Sequence, residues 1–194
     1  MAHGRAGYSL LYRLGLKPWE LDATPHQLIE AAERLVPGRA LELGCGTGRE
    51  AVELARRGWD VTGLDYVARA VEEAGRRAAA AAVQVRFLVA DVTALADLEL
   101  GGPFDLVYDN KCFHGLPRDS RRGYAEGIAR VCRPAACYLL FALPPHTLRR
   151  ALGLPGGIAA PEVTELFRPW FQIVRSERGK TGLFSPSFYE MRRA

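Results

Sequence analysis

The chain has 194 residues, a length that suits one domain with a full hydrophobic core. Hydrophobic residues make up 48% and charged residues 25% of the sequence, which is ordinary for a globular protein that folds in water. The formal net charge is +4 and the isoelectric point is about 9.0, but the arginines are scattered on predicted helices. Because no dense basic run is interleaved with aromatic residues, we expect no nucleic-acid partner.

The cysteines and the N-terminus indicate the compartment. The four cysteines form no C-x-x-C pair and no zinc-ligand spacing with histidine, so we expect free thiols and no bound metal (Cys45, Cys112, Cys132 and Cys137). The N-terminus has no long apolar run, which argues against a signal peptide and a membrane span. These features predict a cytoplasmic protein without membrane contact. The sequence leaves monomer and homodimer open.

Residues 1–36 are predicted to form an N-terminal helical lid. Tyr8, Leu11 and Tyr12 have helical spacing, and Thr24-Pro25 is typical of a helix start with proline at the first position. The helix that follows is expected to run to about Leu35, ahead of Pro37-Gly38. A sheet does not need such an extension, so we expect it to cover something.

From residue 37 to residue 194, strands alternate with helices in a single predicted domain. The predicted strands are 39–43, 60–64, 84–89, 104–108, 137–142, 171–177 and 187–191, and the main helices are 49–57, 68–80, 117–131 and 161–167. This alternation predicts an α/β fold of Rossmann-like type, a mainly parallel seven-stranded sheet with helices on both faces. Ligands of such sheets bind beyond the carboxyl ends of the strands.

The first strand leads into a glycine-rich turn, Gly44-Cys45-Gly46-Thr47-Gly48, which Glu42 precedes. The dinucleotide fingerprint G-x-G-x-x-G requires glycine where Arg49 stands, and Gly48 comes one residue early. A carboxylate before the first glycine is a poor neighbour for a pyrophosphate and suits a ligand with cationic character and hydroxyls. The pattern therefore disfavours an NAD-dependent oxidoreductase. The alternative to a ligand-binding motif is a glycine turn that merely packs a strand against a helix.

Acidic residues also follow the second and third strands. Asp65 lies about 20 positions past the glycine turn, where a carboxylate can accept hydrogen bonds from both ribose hydroxyls of an adenosine. Tyr66 beside it could lie along the adenine. Asp91 could accept from the exocyclic amine of adenine, and Val92 could contact the ring. The alternative for each aspartate is capping of the next turn or helix.

The fourth strand ends in Tyr108-Asp109-Asn110-Lys111-Cys112-Phe113-His114. Together with the preceding motifs, this pattern resembles the class I S-adenosylmethionine (SAM)-dependent methyltransferases over nearly the whole chain. The Pro18-Trp19-Glu20 step, with Tyr108-Asp109 and Phe113-His114, is similar to their small-molecule branch of thiopurine, thiol, halide and tellurite methyltransferases. The chain departs from DNA and N6-adenine methyltransferases, which carry an Asn/Asp-Pro-Pro-aromatic step after this strand.

The resemblance implies SAM as cofactor, S-adenosylhomocysteine (SAH) as product and a small-molecule acceptor. From the motifs and the resemblance together, the predicted cofactor-binding residues are Trp19, Glu42, Gly44, Cys45, Gly46, Asp65, Tyr66, Asp91, Val92 and Asp109. Trp19 would act as a lid over the cofactor, or it anchors a helix in the core. The Pro/Gly-rich stretch 144–157 is a second predicted lid over the substrate.

His114 and Asp109 are the predicted catalytic residues, with His114 as general base. A hydroxyl or protonated amine needs a base, whereas a thiolate, a halide or a pyridine-type nitrogen needs none. The alternative for His114 is a packed, hydrogen-bonded side chain. We expect methyl transfer to an O, N or S nucleophile of a xenobiotic or secondary metabolite. A SAM-fold protein that binds the cofactor without transfer, or an RNA-modifying enzyme, remains an alternative.

Overall fold

The computed structural model describes residues 23–147, 157–179 and 185–194. The predicted lid residue Trp19 lies outside the described residues, as do Tyr8, Tyr12 and most of the predicted substrate lid. The chain forms two compact units, which meet in sequence between Asp91 and Val92.

The first unit contains three helices and three strands among its described residues. They are α1 (His26–Arg34), β1 (Arg39–Leu43), α2 (Arg49–Arg56), β2 (Asp60–Asp65), α3 (Ala68–Ala80) and β3 (Arg86–Val89). β1 pairs with β2 and β2 pairs with β3, both in parallel, with Glu42 opposite Gly63 and Asp65 opposite Val89. The strand ends carrying the predicted ligand-binding acids therefore lie side by side within this unit.

Small residues permit close packing around Phe87. β1 and β2 are buried over nearly their whole length, as expected for parallel strands. α3 buries a stripe of alanines at helical spacing, Ala70, Ala74 and Ala78. The Phe87 ring lies so close to β2 that a Cβ on Gly63 would stand 2.8 Å from it.

The second unit contains four strands and two α-helices among its described residues. They are β4 (Phe104–Asn110), α4 (Arg121–Val131), β5 (Cys132–Ala142), α5 (Ala160–Phe167), β6 (Phe171–Glu177) and β7 (Ser187–Arg193), with short 3-10 turns at Val92–Asp97, Phe113–Gly115 and Arg118–Ser120. β4 and β5 are parallel, whereas β7 is antiparallel to both β5 and β6.

The seven described strands form a sheet, in the order β3-β2-β1 within the first unit and β4-β5-β7-β6 within the second. This confirms the predicted α/β class and the mainly parallel sheet, with an antiparallel end formed by β6 and β7. None of the helices in the described ranges is long and apolar enough to cross a membrane.

Element boundaries differ from prediction where tertiary pairing extends a strand. β4 continues past Tyr108 to Asn110, because Asp109 and Asn110 pair with Leu140 and Phe141 of β5. β5 begins at Cys132 rather than Cys137, across an irregular stretch in which Ala135 has a φ of 63°. The predicted start of α1 is one residue early, since Pro25 caps the helix and its first residue is His26.

Two glycine-to-alanine substitutions separate packing from backbone entropy. Gly63→Ala is expected to destabilise the protein by about 1–3 kcal/mol, because the new methyl group would overlap the Phe87 ring. Gly75→Ala, at an exposed position of α3 with open space around it, is expected to stabilise by about 0.5–1 kcal/mol. Urea unfolding of the two variants measures both changes, and a Gly63→Ala variant as stable as the original chain would contradict the packing.

Candidate functional site

The glycine-rich turn after β1 has a backbone that requires glycine. Gly44, Gly46 and Gly48 have φ angles of 69°, 52° and 73°, in the left-handed region that other residues rarely adopt. The Cys45 N–H donates to the Leu64 carbonyl at 2.9 Å, and the Gly48 N–H donates to the Cys45 carbonyl at 2.8 Å. Cys45 is buried, and its backbone rather than its thiol ties the turn to β2.

Packing explains why the third glycine comes at position 48. Gly48 caps α2, and a Cβ there would lie 2.7 Å from the Phe87 ring and 2.8 Å from the Ala74 methyl. The residue at this position must therefore lack a side chain, so that β3 and α3 can close on the turn. Arg49, where a dinucleotide-binding turn has its third glycine, is instead the first residue of α2.

The Asp65 carboxylate connects the glycine turn to the start of α3. Its Oδ2 accepts from the Gly46 N–H at 2.9 Å, and its Oδ1 accepts from the Val67 N–H at 2.9 Å. Burial raises the pKa of Asp65, and these backbone donors oppose that shift. The Tyr66 N–H is a third backbone donor to this group. A carboxylate has about four acceptor sites, so it can still accept from a ligand hydroxyl. Its ribose-binding role stays a prediction.

The other predicted adenosine contacts lie near Asp65 in sequence or in strand pairing. Tyr66 is half-buried and packs against Val67 and Ala70. Asp91 follows Ala90, whose N–H donates to the Asp65 carbonyl at 3.0 Å. Within the first unit, Asp65, Tyr66 and Asp91 thus lie at neighbouring strand ends. Val92 is buried at the first position of a 3-10 turn in the second unit.

Glu42 is a buried carboxylate with an unfilled acceptor. Its side chain is 3% exposed, and its Oε2 has no hydrogen-bond partner among the described residues. Burial is the main cause that raises the pKa of Glu42, and the nearby Glu50 carboxylate raises it further. The Ala51 N–H and Arg49 act in the opposite direction. A ligand that brings a cationic donor to Oε2 would relieve this unfavourable arrangement.

Two further residues of the first unit were missed by the sequence reasoning. Glu50 is 6% exposed beside Glu42, and Arg49 pairs with it at 2.7 Å. Its position four residues before the buried Leu54 could have indicated an inward-facing carboxylate. Arg77 of α3 reaches back to Thr47 in the glycine turn, a contact that no local pattern indicates.

At the end of β4, Asp109 organises the loop that follows. It is fully buried and accepts from the Cys112 N–H at 2.8 Å, from the Phe113 N–H at 3.0 Å and from the Tyr124 hydroxyl. Burial raises the pKa of Asp109 to about 7, while these hydrogen bonds oppose the shift. Since its described partners belong to the chain itself, they support a positioning role, and its catalytic and cofactor roles stay predictions.

The residues after Asp109 form a tight turn. The Asn110 Oδ1 is buried without a described hydrogen-bond partner. Lys111 has a φ of 70°, and its N–H donates to the Phe141 carbonyl at 2.9 Å, which turns the chain away from β4. His114 lies in a short 3-10 turn and is buried, so its predicted role as a base stays a prediction.

Arg121 holds the His114 segment against α5. Its guanidinium donates to the His114 carbonyl at 3.4 Å and to the Leu116 carbonyl at 3.3 Å, and it pairs with Glu162 at 2.7 Å. It also lies 5.8 Å from the centre of the Phe113 ring. Because Arg121 is buried, these contacts fix the backbone that carries His114.

The pKa of Asp109 predicts a pH dependence of folding. The folded chain holds the proton of this group up to about pH 7, whereas its ordinary pKa is 3.8. Between these pH values the folded state binds more protons than the unfolded state. The contribution of Asp109 to the free energy of unfolding therefore falls as the pH rises from about 4 to about 7. This group makes the free energy of unfolding decrease with pH by up to about 1.4 kcal/mol per pH unit, and Asp109→Asn is expected to remove that decrease. Urea unfolding between pH 4.5 and 7.5 measures it.

The matched control is Asp119→Asn, which removes an acidic side chain on an exposed turn that contacts the Ser120 hydroxyl. This control is expected to keep the slope of the original chain. An Asp109→Asn variant with an unchanged slope would contradict the assignment.

Residues 40–135 match the protein family described as "Methyltransferase domain". The chain is 28% identical over 158 residues to 2-heptyl-1-hydroxyquinolin-4(1H)-one methyltransferase of Mycobacteroides abscessus, which covers 80% of this chain and 69% of that protein. It is 28% identical over 168 residues to the probable thiol methyltransferase 2 of Arabidopsis thaliana, which covers 84% of this chain and 72% of that protein.

A solved structure has the same fold. It is the 1,6-didemethyltoxoflavin-N1-methyltransferase of Burkholderia thailandensis with bound 1,6-didemethyltoxoflavin and S-adenosylhomocysteine. The TM-score is 0.75 at 24% identity, and the alignment covers 98% of this chain and 87% of that one.

The glycine turn, the seven-stranded sheet and these relatives agree. They establish SAM as the cofactor and SAH as the product. The chain belongs to the class I SAM-dependent methyltransferases.

Proposed function

We propose that this enzyme methylates a small-molecule acceptor at an oxygen, nitrogen or sulfur nucleophile, of xenobiotic or secondary-metabolite type. The observation that carries the cofactor half of the proposal is the buried, unpartnered Oε2 of Glu42, which fits a cationic donor of SAM. The acceptor half is supported by the relatives, whose names specify a hydroxyquinolinone and a thiol methyltransferase.

The first unit supplies most of the proposed cofactor contacts. Glu42 would accept from the ammonium of the methionine part, and the backbone of the glycine turn (Gly44, Cys45 and Gly46) would border it. Asp65 would accept from the ribose hydroxyls through its spare lone pairs, and Asp91 from the adenine amine. Tyr66 would lie along the adenine, while Val92 and Asp109 complete the proposed set. The lid role of Trp19 and of residues 1–36 belongs to the same proposal.

When bound, SAM supplies a methyl group on a positively charged sulfur. The chain's own residues then hold the acceptor in line and exclude water, which supplies most of the acceleration in a displacement of this kind. His114 would take a proton from a hydroxyl or ammonium acceptor, whereas a thiolate or heteroaromatic nitrogen needs no base. Asp109 and Arg121 set the backbone before and after His114 through the contacts described above.

We further propose a cytoplasmic location and a monomer or homodimer of one catalytic domain (residues 37–194) with its N-terminal lid. None of the four cysteines, which all lie within the described residues, forms a disulfide, and this supports a reducing compartment.

Calorimetry with SAH, followed by a labelled-SAM assay on a panel of small thiols, phenols and nitrogen heterocycles, tests the proposal. We expect SAH binding that Asp65→Ala weakens severely, and label transfer to at least one acceptor class. Binding of SAH without any transfer would support the alternative of a protein that binds the cofactor without catalysis. Failure of the unmodified protein to bind SAH would overturn the proposal.

Glu42→Gln tests the proposed ammonium contact. Because burial already opposes the charge of Glu42, the substitution is not expected to destabilise the free protein at neutral pH. It is expected to weaken SAH binding by about 10-fold to 100-fold, the range for a lost hydrogen bond to a charged group. In the original chain, SAH affinity is expected to rise with pH through the raised pKa of Glu42, since the ionised form binds the ammonium.

Calorimetry of SAH at several pH values measures both effects. The control is Glu53→Gln on α2, which removes a partly exposed carboxylate that pairs with Arg57. Equal affinities for Glu42→Gln and the original chain at every pH would show that Glu42 does not contact the cofactor.

A further inference from the structure

Arg77, which lies on a helix and not at a strand end, donates two hydrogen bonds to the glycine turn. The side chain of Arg77, on the exposed side of α3, contacts Thr47, which lies 30 positions earlier in the sequence. Its Nε donates to the Thr47 carbonyl at 2.9 Å, and its Nη2 donates to the Thr47 hydroxyl at 3.1 Å. Thr47 itself is 3% exposed. A surface side chain thus satisfies two acceptors of a buried residue in the middle of the turn.

The bond to the Thr47 carbonyl fixes the orientation of one peptide group. The peptide between Thr47 and Gly48 has its carbonyl bound by Arg77 and its N–H bound by the Cys45 carbonyl at 2.8 Å. Gly48 has a φ of 73°, and glycine occupies positive and negative φ about equally well. The glycine torsion itself therefore opposes rotation of this peptide little. Its orientation is selected by these two hydrogen bonds, and the one from Arg77 has a charged donor.

The turn is restrained at each of its central residues. The Leu64 carbonyl holds the Cys45 N–H, and the Asp65 carboxylate holds the Gly46 N–H. Both of these partners are buried at the end of β2. Arg77 restrains the next residue, Thr47, from an exposed position on α3. Its removal leaves the buried partners in place, so the effect on the turn can be separated from an effect on the core.

We propose that Arg77 is a positioning residue of the cofactor site, which acts through Thr47 to hold the glycine turn in its cofactor-binding form. This inference rests on the proposed cofactor contacts of the turn. Arg77 does not touch the cofactor in this arrangement. Without Arg77, SAH binding must also order the Thr47–Gly48 peptide, and this cost weakens the observed affinity.

The neighbouring residue Arg76 provides a matched control. It is exposed on the same helix, carries the same charge and makes no hydrogen bond or ion pair within the described ranges. Calorimetry with SAH should show affinity weakened about 5-fold to 30-fold in Arg77→Ala, in line with loss of charged hydrogen bonds. Arg76→Ala should stay within about twofold, since an exposed charge is largely screened. Because Thr47 loses two donors, Arg77→Ala should lower the melting temperature of the free protein by about 2–4 °C, and Arg76→Ala should leave it nearly unchanged.

Further variants distinguish positioning from general stability. Arg77→Lys keeps the charge and one donor, so it should recover part of the affinity. Thr47→Val removes the hydroxyl contact and should cost less than Arg77→Ala, with a double variant that is less than additive. In turnover assays with saturating acceptor, Arg77→Ala should raise KM for SAM several-fold and leave kcat nearly unchanged.

Other results would contradict the positioning role of Arg77. SAH affinity of Arg77→Ala equal to that of the original chain would overturn the inference, and so would equal losses in Arg76→Ala and Arg77→Ala. A loss of affinity that follows a large drop in melting temperature would assign Arg77 a structural role instead. If the original chain does not bind SAH at all, the proposed function fails first, and the inference fails with it.

Discussion

Two backbone N–H groups from different parts of the first unit converge on one buried carboxylate, that of Asp65. Gly46 brings its N–H from the glycine turn and Val67 brings its N–H from the start of α3. A carboxylate taken out of water needs such donors, and a turn built from three glycines needs fixed acceptors. The same contact meets both needs. The form of the glycine turn, and with it the proposed cofactor contacts of the turn and of Asp65, depends on these two hydrogen bonds.

The second unit solves a similar problem at the end of β4. Asp109 is more deeply buried than Asp65, and it accepts from the Cys112 and Phe113 N–H groups and from the Tyr124 hydroxyl. Glu42 contrasts with both aspartates, because one of its oxygens is buried and has no described partner. The three strand-end carboxylates thus differ in how many of their oxygens accept a described hydrogen bond. Only the unsatisfied one calls for a charged ligand, which is why it carries the cofactor argument.

Sequence pattern predicted the strands and helices well, since buried parallel strands and amphipathic helices leave strong local signals. β1 (39–43) and α3 (68–80) were predicted with their observed bounds. The C-terminal end of β4 and the start of β5 were not, because pairing between distant segments extends both strands. The Arg77–Thr47 and Asp109–Tyr124 contacts join residues 30 and 15 positions apart, and no periodicity encodes such pairs. The predicted roles of Asp65 and Asp91 came from their positions at strand ends and from the family resemblance, with the spacing to the glycine turn as a further argument for Asp65.

The loop after β4 obtains its shape mainly from main-chain groups. The Asp109 carboxylate binds the N–H groups of Cys112 and Phe113, and the Phe141 carbonyl binds that of Lys111. Every amino acid except proline offers such an N–H, so these bonds survive replacement of the side chains at positions 110–112. In the proposed function this loop carries His114 to the acceptor, so evolution or a directed library can vary the neighbouring side chains while the scaffold beneath them persists. Diversity of substrates within one fold needs this separation between a fixed backbone and exchangeable side chains.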